Sequence, residues 1–130
     1  MNDMFSYCGK LTSLNLSNFN TAEVINMNSM FQSSGLKNLD LSNFDTSNVG
    51  DMYYMFDNCT QLTSLNLSGF ITSNVWRMSF MFSKCSQLVS LDLSNFDTSK
   101  VAYMQNMFYQ CSSLEYLNLS NFVGNKSLFS

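Results

Sequence analysis

Apolar and polar positions follow a rule that returns about every 26 residues. The stretch LTSLNLSNF (Leu11 to Phe19) recurs as LKNLDLSNF (Leu36 to Phe44), LTSLNLSGF (Leu62 to Phe70), LVSLDLSNF (Leu88 to Phe96) and LEYLNLSNF (Leu114 to Phe122). The steps are 25, 26, 26 and 26 residues, and the short one arises where FQSSGL (Phe31 to Leu36) stands against FDNCTQL (Phe56 to Leu62). Within each copy the last two leucines fall on one side of a period-two pattern and their neighbours on the other. That alternation predicts a short strand.

A second pattern lies between these stretches. Met52, Met55 and Phe56 are matched by Met1, Met4 and Phe5, by Met27, Met30 and Phe31, by Met78, Met81 and Phe82, and by Met104, Met107 and Phe108. All ten methionines thus occupy two columns, and ten of the twelve phenylalanines occupy two more. From Val49 through Met52, Met55 and Phe56 to Cys59 the apolar spacings of +3, +6, +7 and +10 predict one face of a helix of two to three turns. Thr21, Thr46, Thr72 and Thr98 precede these segments and are the expected N-caps.

One strand and one short helix bury too little to fold alone, so the unit must stack on its neighbours. The expected architecture is an α/β solenoid of four to five leucine-rich repeats, with one parallel sheet on one face and short helices on the other. Residues 1–130 form a single domain in this reading, with a degenerate C-terminal end over 122–130. The chain opens inside the helical half of a repeat and reads as a fragment of a longer array, whose uncapped ends would favour self-association.

The combination LxxLxLS-F followed by DTSNV, paired Met, MF and Cys resembles the BspA-type leucine-rich repeat proteins of microbial cell surfaces, over residues 1 to about 122. The resemblance implies a right-handed solenoid and a secreted or surface-bound parent. It also implies adhesion to host or matrix proteins. The chain departs from the pattern at the deletion near Ser33–Gly35, at the missing Cys in that repeat, and at its C-terminus.

Charge and composition narrow the chemistry. A net charge of −3, from six Lys and Arg against nine Asp and Glu, lacks the basic footprint that nucleic acid requires. No His is present, so the commonest general base and metal ligand are missing. No apolar run is long enough to cross a membrane, and no basic-then-apolar leader opens the chain. No Ser/His/Asp, Cys/His or phosphate-loop arrangement occurs, and each nucleophile recurs by repeat instead of converging. The chain therefore reads as a non-enzyme without cofactor or bound metal.

The four cysteines, Cys8, Cys59, Cys85 and Cys111, form one column with Ser34 in the gap. One per repeat is unlike zinc-site spacing and fits a ladder of packed thiols, with a disulfide between adjacent coils as the alternative. The Met columns fit core packing better than soft-metal ligation.

The outward strand positions offer a binding face. One column reads Asn15, Asp40, Asn66, Asp92 and Asn118; a second reads Ser17, Ser42, Ser68, Ser94 and Ser120; a third includes Asn38 and Tyr116. This ladder either contacts a protein or glycan ligand or is a solvated sheet face. Asp40 and Asp92 lie two repeats apart, roughly 10 Å by strand spacing, too far to grip one calcium. Trp76, Tyr53, Tyr54, Phe80, Tyr103 and Tyr109 break the pattern and serve either as binding anchors or in lateral packing. Sequons at Asn15, Asn58, Asn66, Asn118 and Asn125 matter only in a eukaryotic secretory route. The expected function is a protein- or glycan-binding module of a surface adhesion protein; the alternative is a structural spacer with no ligand of its own.

Overall fold

The computed structural model describes residues 1–124 together with 128 and 129. The chain winds into stacked coils. A column of parallel backbone bridges joins Asn26 to Asp51, Asp51 to Arg77, and Arg77 to Tyr103, and marks where successive coils begin. Counted from that column, the coils span 1–25, 26–50, 51–76, 77–102 and 103 onward. Midway along the last four lie the strands β1 (Asn38–Asp40), β2 (Ser64–Asn66), β3 (Ser90–Asp92) and β4 (Tyr116–Asn118).

The strands do not form the single sheet that the repeat predicts. β1 pairs in parallel with β2, Leu39 opposite Leu65, and β3 pairs in parallel with β4, Leu91 opposite Leu117. The result is two separate two-stranded sheets. The column that follows each strand varies from junction to junction, with Gly69 between β1 and β2, Asn95 between β2 and β3, and Asn121 between β3 and β4. Gly69 lies so close to the second coil that a Cβ there would stand 2.2 Å from the Ser42 carbonyl oxygen. One coil further on, the same column holds Asn95. Its amide bridges the gap by donating to the carbonyls of Leu67 (3.1 Å) and Phe70 (2.8 Å).

The helical half of the expected α/β solenoid is overturned as well, because the described residues contain strands and turns and no helix. Tyr54 and Asn58 have φ of 57° and 58°, which interrupts any right-handed helix. The segment is instead a run of tight turns. Met55 N–H donates to the Met52 carbonyl at 3.2 Å, Asp57 to Tyr54 at 3.1 Å, and Cys59 to Phe56 at 3.2 Å. The remaining amides point sideways: those of Met52, Tyr54, Phe56 and Asn58 donate to the carbonyls of Arg77, Ser79, Met81 and Ser83 in the next coil. Spacings of three and four residues fit consecutive four-residue turns as well as a helix. The inter-coil ladder selects the turns, since it satisfies every second amide outside the coil. The same two columns are left-handed in every coil, at Asp3, Ser29, Phe80 and Asn106 and at Tyr7, Ser33, Lys84 and Gln110.

With no helix to cap, the threonines do something else. Each buried hydroxyl both donates to the carbonyl and accepts from the amide of one residue in the next coil. Thr21 does so with Asp45, Thr46 with Ile71, Thr72 with Asp97 and Thr98 with Val123. The columns pack the interior. Phe5, Phe31, Phe56, Phe82 and Phe108 form a continuous stack with centroids 5.5–5.7 Å apart. Val, Leu and Met columns fill the space around it. Near the C-terminus Phe122 stacks on Phe96, Phe129 lies against Phe108, and the Leu128 carbonyl accepts from Phe108 N–H, 20 residues on where the same bond in the earlier coils spans 24 or 25. The sequon at Asn125 lies outside the described residues.

Candidate functional site

The outward strand positions are polar, and their first column is occupied with the fold's own turns. Asn15, Asp40, Asn66, Asp92 and Asn118 each accept, through Oδ1, the amide of the serine two residues on, at 2.9–3.0 Å. This Asx geometry closes the chain after each strand position. The Ser42 and Ser94 hydroxyls and, second, these amide bonds hold the Asp40 and Asp92 carboxyls below the usual carboxylate range. Asn38 Oδ1 accepts from the Ser64 hydroxyl at 2.8 Å, and Tyr116 is exposed. A groove of about 370 Å³ opens between β2 and β3, lined by Asn66, Ser68, Asp92, Ser94 and Asn95. Among the described residues no cluster of three His, Cys, Asp or Glu is arranged to hold a metal.

The pattern-breaking aromatics divide into two groups. Tyr54 and Phe80 pack laterally, with ring centroids 5.0 Å apart, and Tyr53 lies 3.9 Å from Tyr54. The hydroxyl of Tyr53 and, second, burial push the Tyr54 phenol up to about 12, so this group stays neutral at ordinary pH. Trp76 and Tyr103, by contrast, are 44% and 51% exposed and meet edge to face at 6.0 Å. Tyr109 is exposed too.

Arg77, which the sequence pattern alone does not single out, organises the exposed group. Its guanidinium carbon lies 3.7 Å from the Tyr53 ring centroid and 5.6 Å from that of Trp76. Its Nε is 3.5 Å from Asp51 Oδ1, and Asp51 in turn accepts the Tyr53 amide. Tyr53, Trp76, Arg77, Ser79, Tyr103 and Gln105 surround a depression of about 390 Å³. The column comparison carries the signal that locates this site. Asn26 and Asp51 close Asx turns at the start of their coils, and Arg77 and Tyr103 then replace them. In the adjacent column Gly50 sits beside Trp76, where a Cβ would come within 3.3 Å of the indole ring.

The cysteines are free thiols, so the disulfide alternative is not realised. Cys59, Cys85 and Cys111 each donate to the carbonyl of a phenylalanine in the preceding coil, Phe31, Phe56 and Phe82, at 3.0–3.2 Å. Burial pushes the thiols of Cys59 and Cys111 up to about 11, and that of Cys85 well up. High pKa and burial make them poor nucleophiles.

Fold and surface together define a stacked-coil repeat protein. Its polar columns hold coil to coil, and some of its irregular side chains, Tyr53, Trp76, Arg77 and Tyr103, surround one depression. The chain belongs to the family described as "Mycoplasma protein of unknown function, DUF285", whose pattern matches residues 1–65 and again 38–127. This family match replaces the resemblance to BspA-type leucine-rich repeat proteins, and it describes no function. No curated protein and no solved structure matches the chain. No helix of the described residues is long and apolar enough to cross a membrane.

Proposed function

We propose that this chain is a non-catalytic module that binds a protein or a glycan, and that the depression around Trp76, Arg77 and Tyr103 is its contact site. One observation carries the reading. The column that closes turns with Asn26 and Asp51 switches to Arg77 and Tyr103 where an exposed tryptophan stands beside it. Residues that abandon a repeated structural rule are those expected at a site. Trp, Tyr and Arg are also the side chains that dominate binding energy at contacts. The ladder of Asn15, Asp40, Asn66, Asp92 and Asn118 is a secondary surface in this reading, because its carbonyl and carboxylate oxygens already serve the turns. A surface or secreted location is the setting in which such a ligand would be met.

The test is a screen of the chain against matrix proteins and glycans. It is run beside a variant combining Trp76→Ala with Tyr103→Ala and a second combining Asn66→Lys, Asp92→Lys and Tyr116→Lys. Binding lost only in the first supports the depression; binding lost only in the second moves the contact to the strand face. A structural spacer is the second reading. It is favoured by the Thr, Asn and Asx columns, all of which spend their polar groups on the stack itself, and it predicts that neither variant changes any binding.

A further inference from the structure

We infer that the depression takes a carboxylate-bearing sugar, a hexuronate unit of an acidic glycan. The inference rests on the reading of this depression as the contact site and names its ligand class. Arg77 is held from two sides. Tyr53 supports the flat face of the guanidinium, and Asp51 stands at Nε. Its terminal nitrogens make no hydrogen bond to another described residue, which leaves a fixed fork of donors of the shape that a carboxylate accepts. Gln105 adds to this. Its Oε1 already accepts from the Ser79 hydroxyl at 2.9 Å, so its amide nitrogen remains as a further donor. The polar part of the depression is therefore rich in donors and calls for an acceptor ligand.

The walls call for something more than a bare anion. Trp76 and Tyr103 meet at 77°, forming an exposed aromatic corner next to the donors. A pyranose ring has an apolar C–H face and a polar rim, and a hexuronate carries its carboxylate at that rim. Such a unit can lie on a ring and reach the guanidinium at once. A depression of about 390 Å³ suits one such unit in a longer chain. A stable protein partner would instead need contact over roughly 1,600 Å² in total.

Trp76 is the only tryptophan, so its fluorescence reports directly on the site. The full chain is titrated with oligogalacturonate and with oligomannuronate, and then with the methyl esters of both. An acidic peptide serves as the comparison for a protein ligand. The expected result is a saturable change in Trp76 emission with at least one free acid, weakened about tenfold or more by esterification. By calorimetry, Arg77→Gln should lose affinity to a similar extent, and Arg77→Lys should lose less, with melting curves showing that both variants fold. Equal binding of acid and ester, or undiminished binding by Arg77→Gln, overturns the carboxylate assignment. No response to either hexuronate, or tighter binding of the acidic peptide, overturns the sugar assignment while leaving the contact site standing. Ligands from the screen that bind fully in the absence of Trp76 and Tyr103 would instead remove the contact site itself.

Discussion

The hydroxyl of Thr46 replaces a backbone partner for Ile71: it donates to the Ile71 carbonyl and accepts the Ile71 amide, both at 2.8 Å. Thr72 repeats the arrangement with Asp97 in the middle of the stack. Valine has nearly the same shape and neither hydrogen-bonding group. Thr72→Val therefore leaves the Asp97 amide and carbonyl without that partner and should cost roughly 1–3 kcal/mol. Thr72→Ser keeps the hydroxyl and should cost clearly less. Urea denaturation of the two variants side by side measures the difference, and equal losses would show that the methyl group, not the hydroxyl, matters here.

Gly69 marks a close approach between two coils. A Cβ at this position would stand 2.2 Å from the Ser42 carbonyl oxygen, which is backbone and can yield only if the coil moves. Gly69→Ala should therefore destabilise by roughly 1–3 kcal/mol, the usual range for overpacking. Amide exchange should show the pairing of β1 with β2 weakened first. Unchanged protection of the Leu41 amide, which bonds to the Asn66 carbonyl, would argue that the coils part without cost.

Most of the stacking is legible in the sequence, and the helix is not, for one physical reason. Columns such as Leu39–Leu65 and Leu91–Leu117 report which side chains are shared between coils, and the strand register follows directly. Spacing reports nothing about backbone sign. Met52, Met55, Phe56 and Cys59 are compatible with 3.6 residues per turn and with successive four-residue turns. The deciding residue, Tyr54, is bulky and gives no local hint of positive φ. The candidate site is half legible. Trp76 and Tyr103 stand out as breaks in the repeat, whereas Arg77 becomes visible only when its column is followed from Asn26 and Asp51. The outward Asn/Asp column reads from sequence as a binding ladder because Asx bonding to the serine two residues on is a backbone event that composition does not display.

The buried thiols make stability fall on the alkaline side. Burial raises Cys59 and Cys111 from 9.0 to about 11 in the folded chain. Between those values the unfolded chain loses thiol protons and the folded chain keeps them, so ionisation favours unfolding. The contribution is complete below about pH 9 and is lost as pH rises through about 11. Denaturation midpoints should decline over that window, and Cys59→Ser with Cys111→Ser should flatten the decline. In parallel, Cys59 and Cys85 should react slowly with an aqueous thiol reagent until denaturant is added. Fast labelling of both in the folded chain would contradict their burial.

Lys84 sits at φ 60° in one of the two left-handed columns. A side chain there costs about 1–2 kcal/mol relative to right-handed backbone, and glycine escapes that cost while losing more chain entropy on folding. Lys84→Gly should therefore stabilise by up to about 1 kcal/mol. The same change at Ser86, outside these columns, should not. Melting temperatures of the pair decide the matter: a gain at both positions, or a loss at Lys84, would mean that the turn geometry is not what holds this column.

The Phe56 ring is stacked between Phe31 at 5.6 Å and Phe82 at 5.5 Å, nearly parallel to both. Phe5, in the first coil, has one neighbour of this stack, Phe31, and is only partly buried. Phe56→Ala removes two ring contacts and opens a cavity within the shared core, which should cost about 3–5 kcal/mol. Phe5→Ala removes one contact at a site that solvent can already reach and should cost much less. Because each coil is supported by its neighbours, damage in the middle splits the stack and damage at the end only frays it. Denaturation curves should therefore broaden or become biphasic for Phe56→Ala and stay cooperative for Phe5→Ala. Equal losses with unchanged cooperativity would mean that the coils fold as one indivisible unit and that position along the stack is immaterial.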